Sequence, residues 1–496
     1  MDDEKKDSNL KEETKTPQMR DPINTTKNGI LSFIGAIFHG LGLMSMMIFM
    51  GFSTYMISYL RYFQKEDEKP LSLNYTYFLM PILNVTIGLG VPFSGVLEFK
   101  LGTRLILVYS SLYLILCCII QYFSKVVYLN FLAIFIFAIG FSLSVAVPGK
   151  NACMYFPTRR GLISGLLACV QAIFTAFLNI VGEKIIINPE SIDPVRGFYP
   201  YEASKNIRHF YIFQICCVTI CTILAVSFIV GYKLRGKKGR RPKKDENNAN
   251  TKEPLLPEET EEKENNEDNE NNENNENNDK NEKVIEVNEK ESAINYSTTQ
   301  VKSAAKSFRV WRLFLMNIFC SPLNNFIMIT WRPISIYKRM PTYIIQNVNS
   351  FTSLTQIFAK PLFGFLSDKI PYRVLRIILG IINCIAGILF YFSFENVKFF
   401  VALIIVNSFA SNGMFSLNQP HYMKVFGMKH IIEISGIIGL AGVIMGPICS
   451  ITAFLIEQNL QDSLDEVYKY MFIISSLLCI VDIVLSFFET EDALFE

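Results

Sequence analysis

The sequence predicts an all-α membrane protein: twelve transmembrane helices in two six-helix halves, with both termini cytosolic. Three observations predict it. Apolar runs of about 20 residues, the length that crosses a hydrocarbon core, recur along nearly the whole chain. A polar, charged segment divides those runs six and six. One short pattern, "PFSGVLEFKLGTR" from Pro92 and "PLFGFLSDKIPYR" from Pro361, occurs once in each half.

The 496 residues are 50% hydrophobic and 13% aromatic, and the mean hydropathy is +0.27 despite the polar insert. The apolar runs fall at roughly 30–60, 74–96, 104–123, 127–155, 161–185 and 207–232, then 311–336, 343–366, 373–393, 397–422, 431–456 and 466–488. Twelve in series leave a water-soluble fold no surface. The first run is too long for a cleavable signal peptide and follows a charged tail over 1–29. Lys and Arg set the orientation: Lys100, Arg104, Arg159, Arg160, Lys369, Arg373, Arg376, Lys424 and Lys429 all fall between even-numbered helices and the next, which places those turns in the cytosol. Lys338 and Arg339, on the opposite side, are the exception. The resulting organisation is a tail over 1–29, a first half over 30–232, a linker over 233–308, a second half over 309–489 and a tail over 490–496.

The linker opens with "KLRGKKGRRPKK" and continues into "EETEEKENNEDNENNENNENNDKNEK". Such a segment buries too little apolar area to offset ordering, so it is expected to be disordered. Its basic start suits a topology signal or anionic lipid head groups. With a net charge of only +2 and an acidic run beside the basic one, nucleic acid is not an expected partner. The eleven cysteines all fall within the apolar runs, without a CxxC pair or His/Cys spacing for a metal, and are expected as packing residues. No phosphate-cradling Gly-rich lysine motif and no catalytic constellation occurs, so neither an enzyme nor an ATP-driven pump is expected, and no cofactor.

The repeated pattern agrees at Pro92/Pro361, Gly95/Gly364, Leu97/Leu366, Lys100/Lys369 and Arg104/Arg373, at one constant offset. Each copy ends the second helix of its half and enters a short turn, as in two halves related about the membrane normal. The second copy, Gly364-x-x-x-Asp368-Lys369 followed by Arg373, resembles the major facilitator superfamily signature GxxxD(R/K)xGR(R/K). In that reading Gly95 and Gly364 admit a neighbouring helix. Asp368 pairs with cations or a helix N-terminus across the cytosolic gap and favours one transport state. The first copy departs from the signature, with Phe99 at the aspartate position and Glu98 one residue early, and Pro371 stands where the second copy should have glycine.

"YFPTRRGLISGLL" after the fourth run and "VFGMKHIIEISGIIGLAGVIMGPI" after the tenth resemble the monocarboxylate transporter and oxalate/formate antiporter branch. Arg159 and Arg160 are then either topology anchors or gating contacts. Solute is expected near the midplane, where an ionisable residue costs about 2.5–3.5 kcal/mol on insertion scales and is functional by default. Lys360 lies eight residues before Asp368, about 12 Å inward along a helix. Gln356, Ser353 and Asn349 continue its face at helical intervals, so that face should meet water. The branch places a basic residue four positions before the eighth-helix glycine, as Lys360 stands to Gly364, which implies pairing with a substrate carboxylate. Snorkelling of a structural lysine is the competing reading.

Proton-linked members of that branch have an acid where Gln356 stands, and oxalate-type members have a second cation in the eleventh helix, where the run 431–456 holds none. One cation suits a monoanion or zwitterion. His39 is a candidate proton carrier or a structural histidine. Asn317, Ser321 and Asn325 form a stripe on the seventh helix and Asn407 with Ser411 begins one on the tenth, as cavity lining or interhelical glue. Lys150 is expected to snorkel and Asp482 to belong to a packing pair. The functional expectation is a secondary or facilitative carrier of small organic anions by alternating access, partnered by the bilayer, its solute and, in some mechanisms, protons. An amino-acid carrier, a flux-free sensor and an association with an accessory membrane subunit stay open.

Overall fold

The computed structural model describes residues 26–47, 52–64, 78–186, 201–232, 300–459 and 464–492, apart from 339 and 341, together with 71 and 75. The linker from 233 to 299, with its basic and acidic runs, lies outside the described residues. Among the described residues all elements are helices. In chain order they are α1 (Thr26–Met47), α2 (Ser53–Arg61), α3 (Leu79–Leu101), α4 (Thr103–Phe123), α5 (Val127–Ser144), α6 (Val147–Tyr155), α7 (Arg160–Ile186), α8 (Tyr201–Ser204) and α9 (Ile207–Phe228). They are followed by α10 (Val301–Lys306), α11 (Phe308–Tyr337), α12 (Thr342–Ser367), α13 (Tyr372–Ser393), α14 (Val397–Phe426), α15 (Ile431–Asn459) and α16 (Leu464–Phe487).

Eleven stretches among the described residues are helical, long and apolar enough to cross a membrane, so the chain is an integral multi-pass membrane protein. The run predicted at 343–366 is the one missing from that set. Its helix, α12, has 26 residues but carries Asn349, Ser353, Gln356 and Lys360. Polar residues on the helix lower its apolarity, not its length. The fourth run is built as two helices, with Val145 and Ala146 between them and Pro148 in the first turn of α6, where its missing N–H costs nothing. Within the segment read as linker, Val301–Lys306 is a short helix with Ala304 buried against α15.

The two copies of the repeated pattern turn differently. After α3 the chain reverses through one residue, Gly102, at φ +79°, a conformation that β-carbons disfavour. Pro371 cannot adopt it and sits at φ −54°, so the second reversal takes Asp368 to Pro371 before α13 begins. That longer turn frees Asp368 from its helix, whereas Phe99 is still inside α3.

Helix α3 lies along α15, and α12 runs between α7 and α14. The α7–α12 crossing is made by backbone. A β-carbon on Gly364 would stand 2.5 Å from the Gly161 carbonyl oxygen and 3.0 Å from the Gly165 Cα. In lipid, where apolar transfer gives helices no net pull on each other, such close van der Waals packing is what joins them. An apolar core drawn from both halves surrounds this crossing, with Ile163 and Leu167 of α7, Ala359 and Phe363 of α12, and Ile432 and Ile438 of α15.

Candidate functional site

Three sets of polar contacts close one end of the bundle, the end holding the α3–α4 and α12–α13 turns. Asp368 accepts two backbone N–H bonds at the start of α7, from Gly161 to Oδ1 and from Leu162 to Oδ2, each 3.0 Å. The first turn of a helix has free N–H groups and a partial positive charge, so a carboxylate there is doubly favoured. Arg160 reaches from the same helix start to the Met423 carbonyl in the last turn of α14, 3.4 Å away. The Lys150 ammonium pairs with Glu98 at 2.9 Å and donates to the Lys429 carbonyl at 3.3 Å. Lys150 is 5% exposed, so it does not snorkel as expected. Gly95 packs on the Glu433 side chain, whose carboxyl carbon would lie 2.5 Å from a β-carbon there.

Other residues of the predicted gate stay within their own half. The Arg104 Nε donates to the Ile229 carbonyl at 2.9 Å, closing the end of α9, and Arg373 reaches the Phe487 carbonyl at 3.5 Å. Lys369 lies over the Phe365 ring, 4.3 Å from its centroid. Lys100 and Arg159 are exposed. These cations stand where charge meets water rather than across the gap.

Deeper in α12, the Lys360 ammonium donates to Gln356 Oε1 at 2.9 Å. Among the described residues no carboxylate lies within ion-pair distance of it. Its carbonyl accepts from Ser416 Oγ of α14 at 2.7 Å, and Thr355 meets Ser408 of the same helix at 2.9 Å. The backbone of Lys360 is thus fixed against α14, and against α7, where a β-carbon on Gly165 would stand 2.8 Å from the same carbonyl. Ser353 is buried; the side chain of Asn349 lies outside the described residues.

Beside the stripe expected on α11, Asn407 donates to Asn324 at 3.4 Å, and its own Oδ1 is buried without a hydrogen-bond partner. His39, on α1, is 2% exposed and its Nε2 likewise has none. Asn317 belongs to a different group, donating to the Tyr422 hydroxyl at 3.1 Å.

That group is a buried charge network, of which the sequence reading had only Asp482 in a packing pair. Arg376, placed with the cytosolic cations, is 1% exposed and bonds Asp482 at 2.9 Å, the Tyr372 hydroxyl at 2.8 Å and Asn418 at 2.8 Å. The Tyr372 ring stacks on His421 at 3.8 Å, and His421 meets Glu489 at 3.1 Å. Glu489 also holds Arg309 at 2.7 Å and Arg312 at 2.6 Å, tying the segment after α16 to the start of α11. Burial alone would raise the Glu489 carboxyl, but hydrogen bonds and charge from His421 and Arg309 hold it below the usual glutamate range. The available signal was the pair of opposite charges, Arg376 and Asp482, each within an apolar run.

All eleven cysteines are free, and among the described residues no group of His, Cys, Asp or Glu could hold a metal. The closed end holds hydrogen bonds and a carboxylate at a helix start, and α12 presents a cation with a neutral partner.

These features define a multi-pass α-helical membrane bundle with one end closed by polar contacts. The Major Facilitator Superfamily model matches residues 340–494, in the second half. Among solved structures, the human organic anion transporter MFSD10 (TETRAN) superposes with a TM-score of 0.61 at 10% identity, covering 93% of this chain and 99% of that one. The E. coli fucose:proton symporter FucP superposes with a TM-score of 0.58 at 11% identity, covering 93% and 98%. No curated protein sequence matches the chain. In fold the chain is similar to these transporter structures over nearly its whole length.

Proposed function

We propose that the chain is a secondary or facilitative carrier of small organic monoanions, of the monocarboxylate type, working by alternating access. In this reading α12 completes twelve spans, the halves 30–232 and 309–489 rock against each other, and the closed end with both termini and the linker faces the cytosol. The contact of α3 with α15 and the reciprocal contact of α12 with α7 support two related halves. The observation that carries the substrate class is Lys360, an ammonium in a membrane helix whose partner among the described residues is the neutral amide of Gln356. An intramembrane cation without a protein counter-ion is costly, and a substrate carboxylate would supply one. The similarity to an organic anion transporter agrees with this class.

A second reading, an amino-acid substrate, is favoured by the unpartnered acceptor Asn407 Oδ1, which suits an ammonium donor. Radiolabelled uptake into proteoliposomes, comparing monocarboxylates, dicarboxylates and amino acids, separates the two. Lys360→Gln should abolish saturable carboxylate uptake in folded protein, and Lys360→Arg should retain part of it with altered affinity, because a planar guanidinium is not a neutral exchange for an ammonium. Undiminished carboxylate uptake by Lys360→Gln would remove the assignment.

A further inference from the structure

Helix α10 belongs to the segment read as linker, yet it is packed onto the bundle. It buries Ala304 against α15 and leaves Lys302 and Lys306 exposed, four residues apart on one face. Its six residues, VKSAAK, include no acid. We propose that α10 and the first turn of α11 form a binding site for an anionic phospholipid: the two ammonium groups take the negatively charged head group, and the rings of Phe308 and Trp311 meet the acyl boundary beside it.

The surroundings of α10 suit a lipid. The membrane span Phe308–Trp331 begins at Phe308, so Phe308 and Trp311 occupy its first turn, at the depth where aromatic rings meet head groups. They are 74% and 45% exposed, and Leu315, at 36%, continues their face one turn further in. The Trp311 indole N–H, a donor that an interfacial tryptophan otherwise turns to lipid or water, donates to the Ala305 carbonyl at 2.8 Å. That bond ties α10 to the exposed side of α11 and holds both lysines beside the rings.

The electrostatics point the same way. Side chains four apart on a helix have β-carbons about 5–6 Å apart, and like charges at that spacing repel. A single anionic head group between them replaces repulsion by two attractions. The carboxylates at this end of the bundle are committed elsewhere: Glu489 to Arg309 and Arg312, and Glu491 to the Tyr372 N–H at 2.7 Å. Glu433 is buried, against Gly95 and His430. A lipid fits better than a free anion because it alone brings an apolar chain to the exposed rings. The site holds whichever solute is carried, and reading this end as cytosolic adds that anionic lipids are concentrated in that leaflet.

Tryptophan fluorescence of the full-length protein in lipid nanodiscs tests the site. The chain has two tryptophans, Trp311 and Trp331, and Trp331 is buried. Trp331→Phe therefore leaves Trp311 as the single reporter, read against an equal, minor fraction of either brominated phosphatidylserine or brominated phosphatidylcholine. Two lysines at the surface enrich an anionic lipid over a neutral one by roughly tenfold. Brominated phosphatidylserine is expected to quench Trp311 several-fold more strongly than brominated phosphatidylcholine, with the preference falling as salt is raised. Lys302→Gln combined with Lys306→Gln, both at exposed positions, is expected to bring the two lipids to equal quenching. Equal quenching before those substitutions overturns the proposal, and so does a preference that survives the loss of both lysines. Where Trp331→Phe does not fold, the comparison is made in the unsubstituted protein, in which buried Trp331 adds a background common to both lipids.

Discussion

Asp368→Asn tests the best-defined contact between the halves. The carboxylate accepts N–H bonds from Gly161 and Leu162 at 3.0 Å each, and both donors belong to the first turn of α7. An asparagine has one acceptor oxygen, so one N–H loses its partner and the other bond loses its charge. Hydrogen bonds to charged groups contribute about 1.5–3 kcal/mol, and the charge at a helix N-terminus about 0.3–1 kcal/mol more. A net loss of about 2–3 kcal/mol shifts the closed–open ratio by roughly 30- to 150-fold. The side chain is nearly isosteric and sits in a turn, so folding is expected to survive. Spin labels at the exposed positions 159 and 369, one in each half, read the separation of the closed end by electron–electron resonance. The expected outcome is a new, longer distance population. A distribution identical to that of the parent would show that the contact does not hold the ends together.

Restoring an acid beside Lys360 with Gln356→Asp is expected to raise the response of uptake to an inward proton gradient, and an unchanged response in proteoliposomes would count against a proton role at this position. Gly364→Ala places a β-carbon 2.5 Å from the Gly161 carbonyl, and pushing two backbones apart costs about 1–3 kcal/mol. It should slow transport while leaving Lys360 in place, read as reduced uptake rate with substrate selectivity unchanged. Glu489 is bound more favourably as a carboxylate in the folded state, so its contribution is present above the ordinary glutamate value of 4.5 and is lost as pH falls through and below it. The melting temperature of the purified protein should drop from about pH 5 to about pH 3, and less steeply in Glu489→Gln; equal slopes would mean that the Arg309–Glu489–Arg312 contact does not contribute.

The membrane class, the positions of the helices and the repeated turn were legible in the sequence because each rests on local pattern. A run of apolar residues in lipid has to satisfy its backbone internally, so it becomes a helix wherever it lies. The polar face of α12 was equally local, a matter of helical intervals back from Lys360. Partner choice was not legible. Which oxygen Lys150 holds, that Asn407 meets Asn324, and that Arg376 turns inward to Asp482 while Arg373 turns outward all depend on residues far apart in the chain. Arg373 and Arg376 are three residues apart on one helix and both read as cytosolic cations. Only the packing of α13 against α16 decides that one faces a buried carboxylate and the other water. Periodicity determines which face a residue occupies; the neighbouring helix determines what that face meets, because burying a charge is tolerated only where another helix presents its counterpart.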